Sequence, residues 1–206
     1  AEFDLGRAPH PLAGVFVNIF EDDPVSEFQE IRPYFGFRWN IRPLLFDARY
    51  VSYIFPEREN TNTNEVTLSV TLDDSRIWRT EKPVLSPYGF AAYDFDLYNG
   101  VYIEVGVKHD FELEGTGLVL TALADVAYVT GHPFFTDPNS SDPTADGFQH
   151  YDLGLIGSYS LNTLLNIPRR YGQWAAKGYL YYTDGIESGL LSSTQLWGGV
   201  GIEFRY

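Results

Sequence analysis

Apolar and polar residues alternate with a period of two along most of this chain, and helical spacing is scarce. From 101 to 114, Val101, Ile103, Val105, Val107, Phe111 and Leu113 occupy odd positions; Tyr102, Glu104, Gly106, Lys108, Asp110, Glu112 and Glu114 occupy even ones. His109 is the one polar residue on the apolar side. Successive side chains of an extended chain point to opposite faces, so such a run predicts a strand with one apolar and one polar face. Segment 118–130 repeats the scheme, with Leu118, Leu120, Ala122, Ala124, Val126 and Tyr128 opposite Thr121 and Asp125. Segment 149–161 sets Tyr151, Leu153, Leu155, Gly157, Tyr159 and Leu161 against His150, Asp152, Gly154, Ser158 and Ser160, with Ile156 on the polar side. Segment 172–183 sets Trp174, Ala176, Gly178, Leu180 and Tyr182 against Gln173, Lys177, Tyr179, Tyr181 and Thr183. Further strands are predicted at 14–20, 34–42, 44–55, 65–73, 89–98 and 195–206.

The phase flips at Pro43: Phe35, Phe37, Trp39 and Ile41 are odd, whereas Leu44, Phe46, Ala48 and Ile54 are even. Proline cannot donate to a ladder, so the flip marks a turn and the count is ten strands. A bulge there would instead leave eight strands, with the N-terminal segments outside the sheet. Asn99-Gly100 and the 114–117 glycine loop are hairpin signals, and longer polar connections are expected at 21–33, 57–64, 73–87 and 132–147.

The last strand, QLWGGVGIEFRY, places Leu196, Gly198, Val200, Ile202, Phe204 and Tyr206 on one face. It resembles the C-terminal strand of bacterial outer-membrane β-barrels, which ends in an aromatic residue preceded by alternating apolar ones. Gly198, Val200, Ile202, Phe204 and Tyr206 carry the likeness, and the chain is similar to small barrels of the OmpA/OmpW-like or porin type. The resemblance implies an antiparallel up-and-down transmembrane β-barrel, a place in the bacterial outer membrane among its lipids and lipopolysaccharide, and recognition by the outer-membrane assembly machinery. The competing reading is a soluble lipocalin-like barrel that binds an apolar ligand.

Composition narrows the choice. The 206 residues suit a single domain spanning 1–206. No stretch approaches the 18 or so uncharged apolar residues of a spanning helix, a test that barrel strands escape. Cys and Met are absent, which removes disulfides and thiolate chemistry, and a start at Ala1-Glu2-Phe3 is compatible with signal-peptide removal. A formal charge of −14 argues against nucleic acid and against a basic patch on an anionic leaflet.

Aromatic placement favours lipid. If strands alternate in direction and the last ends at the periplasmic side, Tyr206, Phe204, Trp174 and Tyr159 fall at the lower ends of the apolar face. Tyr182, Tyr151 and Tyr128 fall at the upper ends, with aliphatic residues, Gly and Ala between. Two membrane interfaces select such girdles. About ten residues at ~3.3 Å each, tilted ~40°, cover roughly the 25 Å of an outer-membrane apolar band.

The other face then lines the interior, with Asp94, Asp96, Glu104, Asp110, Glu112, Glu114, Asp125, Asp152 and Glu203 against Lys108, Lys177 and Arg205. Charges removed from water need partners, so a salt-bridge network filling a narrow barrel is expected, and any channel should prefer cations. No catalytic set is predicted. Of His10, His109, His132 and His150, only His150 shares a polar face with serines, and Ser158 and Ser160 lie too far along the strand for direct contact. Asp152 beside His150 could orient its imidazole. Asp137, Asn139, Asp142 and Asp146 offer oxygen ligands for Ca²⁺, but the spacing matches no calcium loop, and neither metal nor cofactor is expected. The expected role is a structural envelope protein or a narrow cation-preferring pore; a third reading is a barrel subunit docked to other envelope proteins.

Overall fold

A computed structural model describes residues 9–19, 29–56, 61–135, 146–190 and 193–205. Ten strands follow one another: β1 (His10–Ile19), β2 (Gln29–Ile41), β3 (Leu44–Tyr53), β4 (Thr63–Leu72), β5 (Tyr88–Asp94), β6 (Val101–Leu113), β7 (Leu118–Thr130), β8 (Gly147–Ser160), β9 (Gln173–Gly185) and β10 (Gln195–Arg205). They form one antiparallel up-and-down sheet in which neighbours in sequence are neighbours in space. The Arg42–Pro43 pair makes a tight turn between β2 and β3, so the phase flip there is a turn.

Each departure from the alternation has a local cause. Strand β2 begins at Gln29, four residues before Pro33, inside the stretch expected to be a connection. The β2–β3 ladder runs from Ile41–Leu44 to Tyr34–Val51, stops at Pro33, and resumes as a single Ile31–Ile54 bridge with two 2.9 Å bonds. The missing proline N–H accounts for the gap. Strand β5 stops at Asp94, whose Oδ1 accepts from the N–H groups of Asp96 and Tyr98 and bends the chain into the 95–100 turn. Asn99 there takes the positive φ (54°) that the Asn-Gly signal requires. Two short helices in the lower connections, α1 (Ser75–Trp78) and α2 (Leu161–Leu165), lack a periodic signal; the Ser160 hydroxyl caps α2 by accepting from Thr163 N–H at 3.3 Å.

The sheet curls into a half-barrel with a polar concave face and an apolar convex face. On the convex side Val105 is 52% exposed, Leu155 49% and Val200 91%. The largest fully buried side chains are Gln149, Val129, Asp74 and Asp94, three of them polar, which is the reverse of an oily core. His109, the polar residue on the apolar face, packs edge-on against Phe111 at 4.3 Å, and its Nδ1 meets the Val84 carbonyl of the β4–β5 connection.

Closure differs from the expectation of a complete barrel. Among the described residues β1 pairs only with β2 and β10 only with β9, so the sheet is open. Closure needs a tenth ladder between β1 and β10, formed through the backbone edge of each that faces away from β2 and β9.

Candidate functional site

We call upper the end that carries the 54–62, 95–100, 131–146 and 186–194 connections. The lower half of the concave face is cross-linked. Asp47 on β3 accepts from Arg38 Nη2 at 2.7 Å and from Arg49 Nε at 2.6 Å, and the Arg49 guanidinium lies 5.0 Å from the Tyr34 ring centroid. Lys177 pairs with Glu203, Lys82 with Glu112, and Thr121 donates to Asp110 at 2.5 Å. Lys108 sits 5.6 Å from the Tyr88 ring centroid. Small inward residues such as Gly106 give way higher up to a cavity of about 700 Å³ walled by β2 to β10.

Aromatic rings make up much of that cavity's wall, and acids dominate its charged groups. Glu30 holds Arg32 in a two-bond pair, each bond 2.6 Å, and Arg32 in turn lies 4.8 Å from the Tyr53 ring centroid. Tyr53 donates to Glu65 at 2.7 Å. Deeper in, Tyr88 and Tyr102 donate to the two oxygens of Glu104 at 2.7 and 3.0 Å, and the Tyr88 hydroxyl also lies 3.1 Å from Asp125 Oδ2. Thr183 donates to Asp152 and accepts from Trp197 Nε1 at 2.8 Å. Apart from Arg32, the charged residues that wall the cavity, among the described residues, are acids and imidazoles.

Strand register assembles two trios of potential metal ligands here, each with its donor atoms within 4.8 Å of one another: Glu65, Asp94 and His132, and Asp125, His150 and Asp152. The first belongs to a turn. Both Asp94 oxygens are already engaged, by Asp96 and Tyr98 N–H and by the Thr63 hydroxyl at 2.6 Å. His132 stacks on Tyr98 at 4.9 Å, and burial holds its imidazole below its ordinary pKa against the pull of Asp94.

Of the interior charges expected from sequence, Asp94, Glu104, Asp125 and Asp152 wall the cavity, while Lys108, Asp110, Glu112, Lys177 and Glu203 lie lower on the same face. Sequence reasoning left out the Glu30–Arg32, Arg38–Asp47–Arg49 and Tyr53–Glu65 sets on β2 to β4, although their even or odd phase was visible. At the upper convex edge Tyr128 packs on Phe148 at 5.4 Å, and Tyr151 lies 6.2 Å from Tyr182. At the lower edge Trp174 Nε1 donates to the Tyr171 carbonyl at 3.3 Å, and Tyr159 pairs with Ala176 across β8–β9. In the terminal strand Gly198, Val200 and Ile202 stand opposite Leu180, Gly178 and Ala176. Phe204 pairs through its backbone with Trp174. The side chains of Phe204 and Arg205, and all of Tyr206, lie outside the described residues. So do Asp137, Asn139 and Asp142 of the acidic loop, whereas Asp146 accepts from Gly131 N–H at 2.7 Å. Ser160 caps α2 and Ser158 faces Lys177 across β8–β9, away from His150. No family model, curated protein sequence or solved structure matches the chain.

Proposed function

We propose that this chain is the membrane body of a small outer-membrane β-barrel, completed by pairing β1 with β10. Its convex face lies against lipid and lipopolysaccharide acyl chains, and its concave face encloses a narrow, cation-preferring vestibule. The observation that carries the reading is the inversion of sidedness: outward aliphatic residues such as Val105, Leu153, Leu196 and Val200 are half to nine-tenths exposed, while the carboxylates turn inward. A lipocalin-like barrel holding an apolar ligand needs the opposite placement. The open cavity above and the ion-paired half below describe a vestibule over a constriction rather than a wide aqueous pore, with the acid surplus favouring cations.

The test is extraction and migration. The protein should leave membranes only with detergent, and should run at different positions on gels with and without boiling. In planar bilayers it should conduct weakly, with cations favoured over anions. Recovery as a clear monomer in detergent-free buffer overturns the membrane reading; anion selectivity overturns the assignment of the acidic lining.

A further inference from the structure

We propose that Asp125, His150 and Asp152 form a binding site for a divalent transition-metal cation of the Zn²⁺ class on the floor of the upper cavity. Asp125 on β7 and Asp152 on β8 are directly opposed partners in the ladder, and His150 lies two residues from Asp152 on the same inward face. Their donor atoms sit within 4.8 Å of one another. His150 Nε2 stands 3.7 Å from Asp152 Oδ2, too long for a hydrogen bond. It is close to the spacing of roughly 3.4 Å between two donors that share one tetrahedral ion at ~2.1 Å.

The surroundings are those of a ligand set. His150 Nδ1 lies 3.0 Å from Gln149 Oε1, an acceptor, so Nδ1 carries the proton and Nε2 keeps its lone pair for a metal. Gln149 reaches that position because a β-bulge after Ala127 inserts it between ladder pairs, so that consecutive residues both face the cavity. Asp152 is oriented by Thr183, which Trp197 holds in turn. Asp125 is steadied at Oδ2 by Tyr88, whose single proton is shared with Glu104. That leaves Asp125 Oδ1 buried with no hydrogen-bond partner.

Charge points the same way. Glu104, Asp125 and Asp152 converge here and accept from the hydroxyls of Tyr88, Tyr102 and Thr183; His150 stands beside Asp152 without a hydrogen bond to it, and among the described residues no Lys or Arg pairs with these three carboxylates. A divalent cation supplies the missing countercharge and satisfies the orphaned oxygen. One imidazole with two carboxylates suits borderline ions and falls short of the six or more oxygens that Ca²⁺ takes.

All three ligands come from one hairpin, so the site does not depend on the membrane reading, and the two fail separately. Calorimetric titration of the detergent-purified protein with ZnCl₂ should give one saturable site per chain, with Ca²⁺ and Mg²⁺ failing to compete. Asp125→Asn and His150→Gln should each weaken Zn²⁺ binding at least tenfold, while Glu65→Gln in the other trio leaves it unchanged. Should either variant misfold, the wild-type protein carries the test through the visible spectrum of bound Co²⁺, which should show low-coordinate intensity and be displaced by Zn²⁺. The proposal is overturned by the absence of saturable Zn²⁺ binding, by equal binding in both folded variants, or by loss of binding in Glu65→Gln alone. Heat-modifiable protein that ignores Zn²⁺ sinks the site and spares the barrel; detergent-free protein that binds Zn²⁺ does the opposite.

Discussion

Val200 offers a sharp measure of what the convex face touches. It is the sixth of the eleven residues of β10, points outward, and is 91% exposed. Replacing an exposed valine by arginine in water changes stability by about 0.5 kcal/mol or less. At the middle of a hydrocarbon layer the same change costs about 2–4 kcal/mol, and near an interface only about 0–1 kcal/mol. Leu196, second in the strand and 70% exposed on the same face, is the depth control. Folded into phospholipid vesicles and unfolded with urea under tryptophan fluorescence, Val200→Arg should therefore lose about 3 kcal/mol, roughly a hundredfold in the folding equilibrium. Leu196→Arg should stay within about 1 kcal/mol of the parent. Equal stability of Val200→Arg and the parent refutes a lipid-facing surface, and equal losses at the two positions refute the assigned depth.

Other expectations concern the polar groups. Asp74, almost wholly buried, accepts from Val84 N–H at 2.8 Å, Leu85 N–H at 2.9 Å and Trp78 Nε1 at 2.9 Å, binding the β4–β5 connection into one unit. Asp74→Ala orphans three donors at the sheet's rim; a local loss of about 2–4 kcal/mol should appear as faster tryptic cleavage after Arg76 and Arg79. Burial opposes the Asp74 charge, but those donors outweigh it and hold the carboxyl below its ordinary pKa. Its contribution is thus whole at neutral pH and lost as pH falls below about 4, so cleavage should accelerate in acid with an acid-active protease for the parent and not for Asp74→Asn. Asp47→Ala removes the carboxylate that Arg38 and Arg49 share; because their side chains are 24% and 34% exposed, the loss in urea unfolding should be about 2 kcal/mol, less than the ~3–5 of a sealed pair. Gly198→Ala sets a Cβ 2.4 Å from the Tyr179 carbonyl oxygen and should cost about 1–3 kcal/mol, whereas Gly201→Ala meets nothing within 4 Å and should be neutral.

Alternation made the ten strands and their two faces legible, because every second residue reports the same surface. Residues whose partner is set by register were not legible. Asp125 and Asp152 each stood on a polar face in the sequence, yet their direct opposition depends on where β7 meets β8. The pairing of Arg38 and Arg49 on Asp47 likewise follows from the Arg38–Asp47 rung that the Pro43 turn fixes. Helix α2 is too short to show a period, and only its Ser160 cap hints at it. The bulge at Gln149 left no trace, since a polar residue beside a polar face looks like a strand end.

That one inserted residue has a consequence for inheritance. In a regular strand, neighbouring positions face opposite ways, so an imidazole and the amide that sets its tautomer must come from separate parts of the fold. Here they are adjacent codons. Deleting Gln149 would return the strand to strict pairing and strip the imidazole of its companion in a single event, with the rest of the sheet left standing. The pairing of imidazole and amide on the concave face can therefore be gained or discarded between descendants by an insertion or deletion of one residue, without redesign of the sheet that carries it.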